Sequence, residues 1–154
     1  MPYLSLAIVI GVLAGIWTFV SGTFNILTWP AFVGWALFFF TGGNAEAIKK
    51  SVPPALSGII LGYLCVVLWG QIGGGLVMLA VLVAVIAFIM TYMINVPAFA
   101  TAPAAFAACA SYFGGGDPIA VGIPLFIGIG LGYLSVIVPD FFPPKVSGAQ
   151  KENI

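Results

Sequence analysis

Apolar positions fall into six blocks along this chain, at residues 3–20, 28–41, 53–69, 75–94, 101–113 and 119–138, separated by short polar or glycine-rich breaks. About 20 helical residues, rising 1.5 Å each, cross a typical hydrocarbon core. The first, third, fourth and sixth blocks approach that length. The second and fifth are shorter, and both open on Thr-x-Pro-Ala, at Thr28-Trp29-Pro30-Ala31 and at Thr101-Ala102-Pro103-Ala104. Both close on a glycine-rich turn. The pattern predicts an all-α, polytopic membrane protein with six transmembrane segments.

The two short blocks belong to a larger duplication. Thr28 to Asn44 reads again as Thr101 to Asp117, at an offset of 73 residues. Gly58-Ile59-Ile60-Leu61-Gly62-Tyr63-Leu64-Cys65-Val66 reads again as Gly128-Ile129-Gly130-Leu131-Gly132-Tyr133-Leu134-Ser135-Val136, now at an offset of 70, with seven of nine residues identical. The three-residue difference is assigned to a loop holding Lys49 and Lys50. Each copy holds three blocks, and an odd number of spans forces the second copy into the opposite orientation, a recurring architecture of transporters. The chain is thus read as one membrane domain, 1–154, with repeat one over 4–68, an inverted repeat two over 74–138 and a cytoplasmic tail over 139–154.

Composition narrows the class. Of the 154 residues 62% are hydrophobic and only 5% charged, with no Arg and no His, whereas soluble domains carry roughly 25% charged residues. The first block lacks the basic flank of a cleavable signal peptide and is read as a retained span. Net charge is zero and no basic stretch points to nucleic acid. Cys65 and Cys109 lie within apolar blocks and read as two buried thiols. With no CxxC and no Cys/His cluster, neither a metal site nor a cofactor is expected.

The lysines set the orientation. Lys49, Lys50, Lys145 and Lys151 all fall on one side of a six-span model, the side that the positive-inside rule makes cytoplasmic. Both termini are then inside, Asn44 is inside, and its repeat partner Asp117 is outside. Trp29 and Trp69 fall at the outer boundary and Tyr3 at the inner one, as interfacial anchors do.

No ionisable residue lies firmly within a block. Proton-coupled carriers usually need an intramembrane Asp, Glu or His, and nucleophilic or general acid–base catalysis has no material here. An enzyme is not expected. The candidates for solute contact are polar or small. Thr28 and Thr101 stand where each short helix would begin, followed by Pro30 and Pro103, so that capped N-termini of two opposed half-helices would meet at a common point. The competing reading is that they start two ordinary tilted helices. Tyr63 and Tyr133 bring two hydroxyls to membrane depth, serving either a structural hydrogen bond or the solute. Asn25 and Asn95 precede the short segments, as turns, caps or vestibule residues. Ser111 continues a narrow small-residue face of the fifth block, fit either for close packing or for a pore. Gly11/Gly15, Gly58/Gly62 and Gly128/Gly132 are small-xxx-small patterns suited to tight crossings within or between subunits.

The stretch Phe106-Ala107-Ala108-Cys109-Ala110-Ser111-Tyr112-Phe113-Gly114-Gly115-Gly116-Asp117, followed by Pro124 and Leu131-Gly132-Tyr133, resembles the YcdZ-like small bacterial inner-membrane proteins, the family of domain of unknown function 1097. Gly15-Ile16-Trp17 and Leu27-Thr28-Trp29-Pro30-Ala31-Phe32 fit the same pattern, although that family often lacks the proline there. The resemblance spans nearly the whole chain and implies a bacterial inner-membrane location. It carries over no site residues.

These readings point to a passive channel or facilitator for a small neutral or weakly polar solute such as urea or a short amide. The expected partners are the lipid bilayer, that solute and further copies of the chain in a homo-oligomer. The alternatives are a small-anion channel, because converging helix N-termini also suit anions, and a non-transporting membrane scaffold or partner subunit.

Overall fold

The structure is a computed structural model and describes residues 4–141. Tyr3, Lys145, Lys151, Glu152 and most of the expected tail lie outside the described residues. All six apolar blocks are helices: α1 (Leu4–Thr23), α2 (Trp29–Phe40), α3 (Ala45–Ile72), α4 (Gly75–Tyr92), α5 (Ala102–Gly115) and α6 (Pro118–Ile137). Short 3-10 turns at Met93–Asn95 and Pro97–Phe99 lead from α4 to α5. No strand occurs among the described residues. Four helices are long and apolar enough to cross a membrane: α1, α3, α6, and α4 with the turn that follows it. The 12 residues of α2 and the 14 of α5 reach only about 18 and 21 Å at 1.5 Å each.

Local chemistry fixes the helix ends. Asn25 adopts a left-handed backbone (φ 54°), and the Ile26 N–H donates back to the Ser21 carbonyl at 2.8 Å, closing α1. Asn44 caps α3 by accepting from the Ala47 N–H at 3.1 Å, and Asp117 caps α6 by accepting from the Ile119 and Ala120 N–H groups at 2.8 and 2.7 Å. Between α3 and α4 the chain reverses through Gly73, Gly74 and Gly75, all at positive φ, where a side chain would be strained.

One boundary departs from expectation. The segment holding Lys49 and Lys50 is helical, because α3 begins at Ala45, eight residues before the apolar block. The Asn44 cap and the exposed Glu46–Lys49 pair at 3.2 Å support its first turns. Pro53 and Pro54 sit inside the helix. Each lacks the N–H that would bond four residues back, which frees the carbonyls of Lys49 and Lys50 at the polar end of α3.

The core forms where α2 crosses α6 and α3 crosses α5. A Cβ on Gly128 would fall on the Ala31 carbonyl, one on Gly34 on the Leu125 carbonyl, and one on Gly58 on the Ala105 carbonyl. Only glycine lets the backbones meet this closely. Further along, Gly132 faces Phe38, while Gly62 faces Cys109 and Tyr112. Both pairs therefore run parallel. Phe38, Leu125 and Ile129, each 2% exposed or less, fill the middle with Ala55, Ile59, Ala104 and Ala108. The outer helices contribute little, since α1 buries only Trp17 and Ser21 and α4 only Ile86 and Met90.

Buried positions correspond between the halves. Pro30, Ala31, Gly34, Trp35, Leu37 and Phe38 of α2 match buried positions of α5 at an offset of 74. Ser51, Pro54, Ala55, Gly58, Ile59, Gly62 and Cys65 of α3 match buried positions of α6 at 70. The Thr-x-Pro-Ala match at 73 is thus one residue out of step with the packing: its two prolines face differently, Pro30 buried and Pro103 exposed.

Candidate functional site

The starts of the two short helices do not meet. The Trp29 ring at the start of α2 packs over Gly114 and Gly115 at the end of α5, so these helices lie side by side and antiparallel. Thr101 then sits about 20 Å away, at the far end of α5. The expected convergence of two helix N-termini on one point is corrected accordingly. Tight crossings draw the helices alongside each other, whereas the expectation needed them end to end.

Neither threonine caps its helix with its side chain. The Thr28 hydroxyl shares a 2.7 Å hydrogen bond with Ser21, and its carbonyl accepts from the Trp17 indole N–H at 2.9 Å. Thr28 therefore ties α1 to the start of α2. The Thr101 carbonyl accepts from the Ala104 N–H at 3.0 Å, a simple first turn. Asn25 and Asn95 are exposed turn residues, and the Asn95 amide donates to the Tyr92 carbonyl at 2.8 Å.

The tyrosines occupy corresponding places. Tyr63 meets Tyr112 edge-on at 6.2 Å, and Tyr133 meets Phe38 edge-on at 6.3 Å. Tyr63 is 43% exposed and Tyr133 half-buried. Ser111 is buried and donates back to the Ala107 carbonyl at 2.8 Å. Ser51 and Ser135 behave likewise, donating to the Ala47 and Gly132 carbonyls. These hydroxyls are spent on their own helices. The small-residue face of α5 is a packing face, with Ala104, Ala105 and Ala108 at 2% exposure or less.

Two features escaped the sequence reading. The Trp35 indole N–H is buried without a hydrogen-bond partner, alone in this among the described side chains. Nothing in its sequence context marks it, because packing decides whether an indole N–H finds a partner. Two cavities also lie against related helices, α3 and α6. One, of about 300 Å³, lies between α3 and the turns before α5, lined by Pro53, Leu56, Ile60, Leu61, Met93 and Phe99. The other, of about 260 Å³, lies between α6 and the turn before α2, lined by Asn25, Ile26, Leu27, Ile119, Ile123 and Pro124. Cys65 and Cys109 are buried free thiols packed in one apolar cluster with Ile86 and Met90.

Residues 7–139 match the model of a family described as protein of unknown function (DUF1097). The chain belongs to that family. Its relatives include the inner membrane protein YcdZ of Escherichia coli (strain K12), 31% identical over 134 residues, which cover 84% of this chain and 81% of that protein. No solved structure matches. The Ala-rich α5 and the glycine-bearing α6 that carried the resemblance are the elements that build the two close crossings. With its long apolar helices, this DUF1097 member is a membrane protein embedded in the lipid bilayer.

Proposed function

We propose that this DUF1097 protein is a homo-oligomeric inner-membrane facilitator for a small neutral or weakly polar solute, with the solute crossing between subunits. The observation that carries the reading is the mirrored pairing, α2 with α6 and α3 with α5, at corresponding buried positions. It supports two three-span halves, 4–68 and 74–138, of opposite orientation, with α2 and α5 completing their crossings through the irregular segments before them. Both termini are then cytoplasmic. Inverted halves are a recurring framework of transport proteins. The inner-membrane location draws on the relative named as an inner membrane protein.

The filled core directs the path to the subunit boundary. Glycine-mediated contacts close both crossings, and the buried hydroxyls are spent. The glycine pairs divide accordingly. Gly58/Gly62 and Gly128/Gly132 serve contacts within the subunit, while Gly11 and Gly15 of α1 have nothing near them. With Ala7, Thr18 and Gly22 they form an exposed small-residue face suited to a second copy. The small-anion alternative loses its motive, because the helix N-termini lie far apart. The protein is read as a non-enzyme, in keeping with its lack of His and of catalytic side-chain pairs.

The test is urea and acetamide flux into liposomes by stopped-flow light scattering, with Gly15→Leu and Val83→Leu compared. Vesicles with the wild-type protein should equilibrate severalfold faster than empty ones. Gly15→Leu should lose both the acceleration and the oligomer, while Val83→Leu, exposed on α4, should keep both. Equal rates in empty and loaded vesicles would leave the scaffold reading, which the filled core also favours.

A further inference from the structure

The two halves correspond closely but carry different charge at one place. Asn44 through Ala47 corresponds to Asp117 through Ala120, and Ser51 corresponds to Val121. The residues added in the first half are therefore Ile48-Lys49-Lys50. They lie on the first turns of α3, at the polar end of the helix. Lys49 bonds Glu46 at 3.2 Å with both side chains largely exposed, a pairing of little energetic weight. Lys50 is exposed and makes no ion pair among the described residues.

Beside these lysines opens a broad cleft of about 660 Å³, walled by α3 and by Pro97 and Ala98. Pro53 lines both this cleft and the 300 Å³ apolar cavity below it. The two form one groove along α3. Its top carries Lys49, Lys50 and Glu46, a net positive charge. Its lower part is Leu56, Ile60, Leu61, Met93 and Phe99. Ser57, the one polar residue there, is already bonded to the Pro54 carbonyl at 2.7 Å. From Lys50 to Leu61 the groove runs about 17 Å, close to one leaflet, half of the roughly 30 Å hydrocarbon core.

We propose that this groove binds an anionic phospholipid, its phosphate at Lys49 and Lys50 and an acyl chain along Leu56, Ile60 and Phe99. The occupant follows from charge complementarity and from the order of the parts, a cationic rim followed by an apolar trough of leaflet depth. The cavity beside α6 in the other half is lined by Asn25 and apolar residues and has no lysine, so the site exists once per chain. The inference rests on embedding in lipid and not on solute passage.

Native mass spectrometry of the full chain in mild detergent, titrated with dioleoyl phosphatidylglycerol or dioleoyl phosphatidylcholine, tests it. The wild type should retain phosphatidylglycerol severalfold better. Lys50→Gln should cut that preference about 5-fold, near the value of one basic residue at an anionic surface, and the double variant Lys49→Gln/Lys50→Gln should abolish it. Both positions are exposed, so folding is spared. Leu56→Trp, filling the trough, should weaken retention of both lipids, whereas Ile123→Trp in the other half should change nothing. An unchanged preference in the double lysine variant would overturn the proposal. So would displacement of phosphatidylglycerol by millimolar inorganic phosphate together with full retention in Leu56→Trp, which would mark a site for free phosphate instead.

Discussion

Trp35 is 5% exposed, stacks on Phe32 at 6.3 Å, and leaves its indole N–H without a partner. Burying an unpaired donor costs about 1–3 kcal/mol. Trp35→Phe keeps an aromatic ring, deletes that donor and leaves a small void. The two effects oppose each other, so thermal unfolding in detergent should show stability within about 1 kcal/mol of the wild type. A loss beyond about 2 kcal/mol would mean that the N–H has a partner worth more than the void. Residue-scale chemistry was partly legible in the sequence. Thr28 stood out as polar beside a short helix, and its role is structural because its partner Ser21 is brought close only when Asn25 turns the chain. Asn44 and Asp117 act as caps through bonds to residues two or three positions on, which is local chemistry that any folded context would preserve.

Helix extents followed from apolar runs and end signals, and all six were readable within a few residues apart from the start of α3. There the charged turn reads as a loop by hydropathy, yet the cap and the nearby apolar helix carry it as helix. Gly58/Gly62 and Gly128/Gly132 were readable as crossing residues, but what each one meets was not. Gly128-Ile129-Gly130-Leu131-Gly132 offers three in one turn and a half. Gly128 abuts the Ala31 carbonyl, whereas Gly130 has nothing near it. Gly128→Ala should therefore lower stability by at least about 1–3 kcal/mol, the range for overpacking. Gly130→Ala, relieved of backbone entropy, should be neutral or stabilising by up to about 1 kcal/mol. Thermal melts of the two variants check this, and equal melts would place the close approach elsewhere on α6. Gly58→Ala should behave like Gly128→Ala, because its Cβ would meet the Ala105 carbonyl.

Across the whole molecule, the proposed opposite orientation of the halves makes a sided prediction. In right-side-out membranes, single cysteines at Gln71 and Ile119 should react with an impermeant thiol reagent, and one at Glu46 should react only after permeabilisation. Labelling of Glu46→Cys and Ile119→Cys on the same side would remove the inverted arrangement. The sequence by itself determined the solvent, because a chain this apolar and this poor in charge cannot present itself to water. It determined the number of helices as well, since each apolar run is made of residues close together in the chain, but not their caps, which fall at Asn44 and Asp117 and not at Thr28 or Thr101. Only the tertiary structure decided what the duplicated motifs are for. Thr-x-Pro-Ala looked like two helix ends facing a common point, and became two antiparallel helices pressed against α6 and α3. The register between α2 and α5 likewise moved from 73 to 74 once burial could be compared. The physical reason is that glycine and alanine carry no directional chemistry: what they permit is backbone contact, and its partner is chosen by helices more than 45 residues away in the chain.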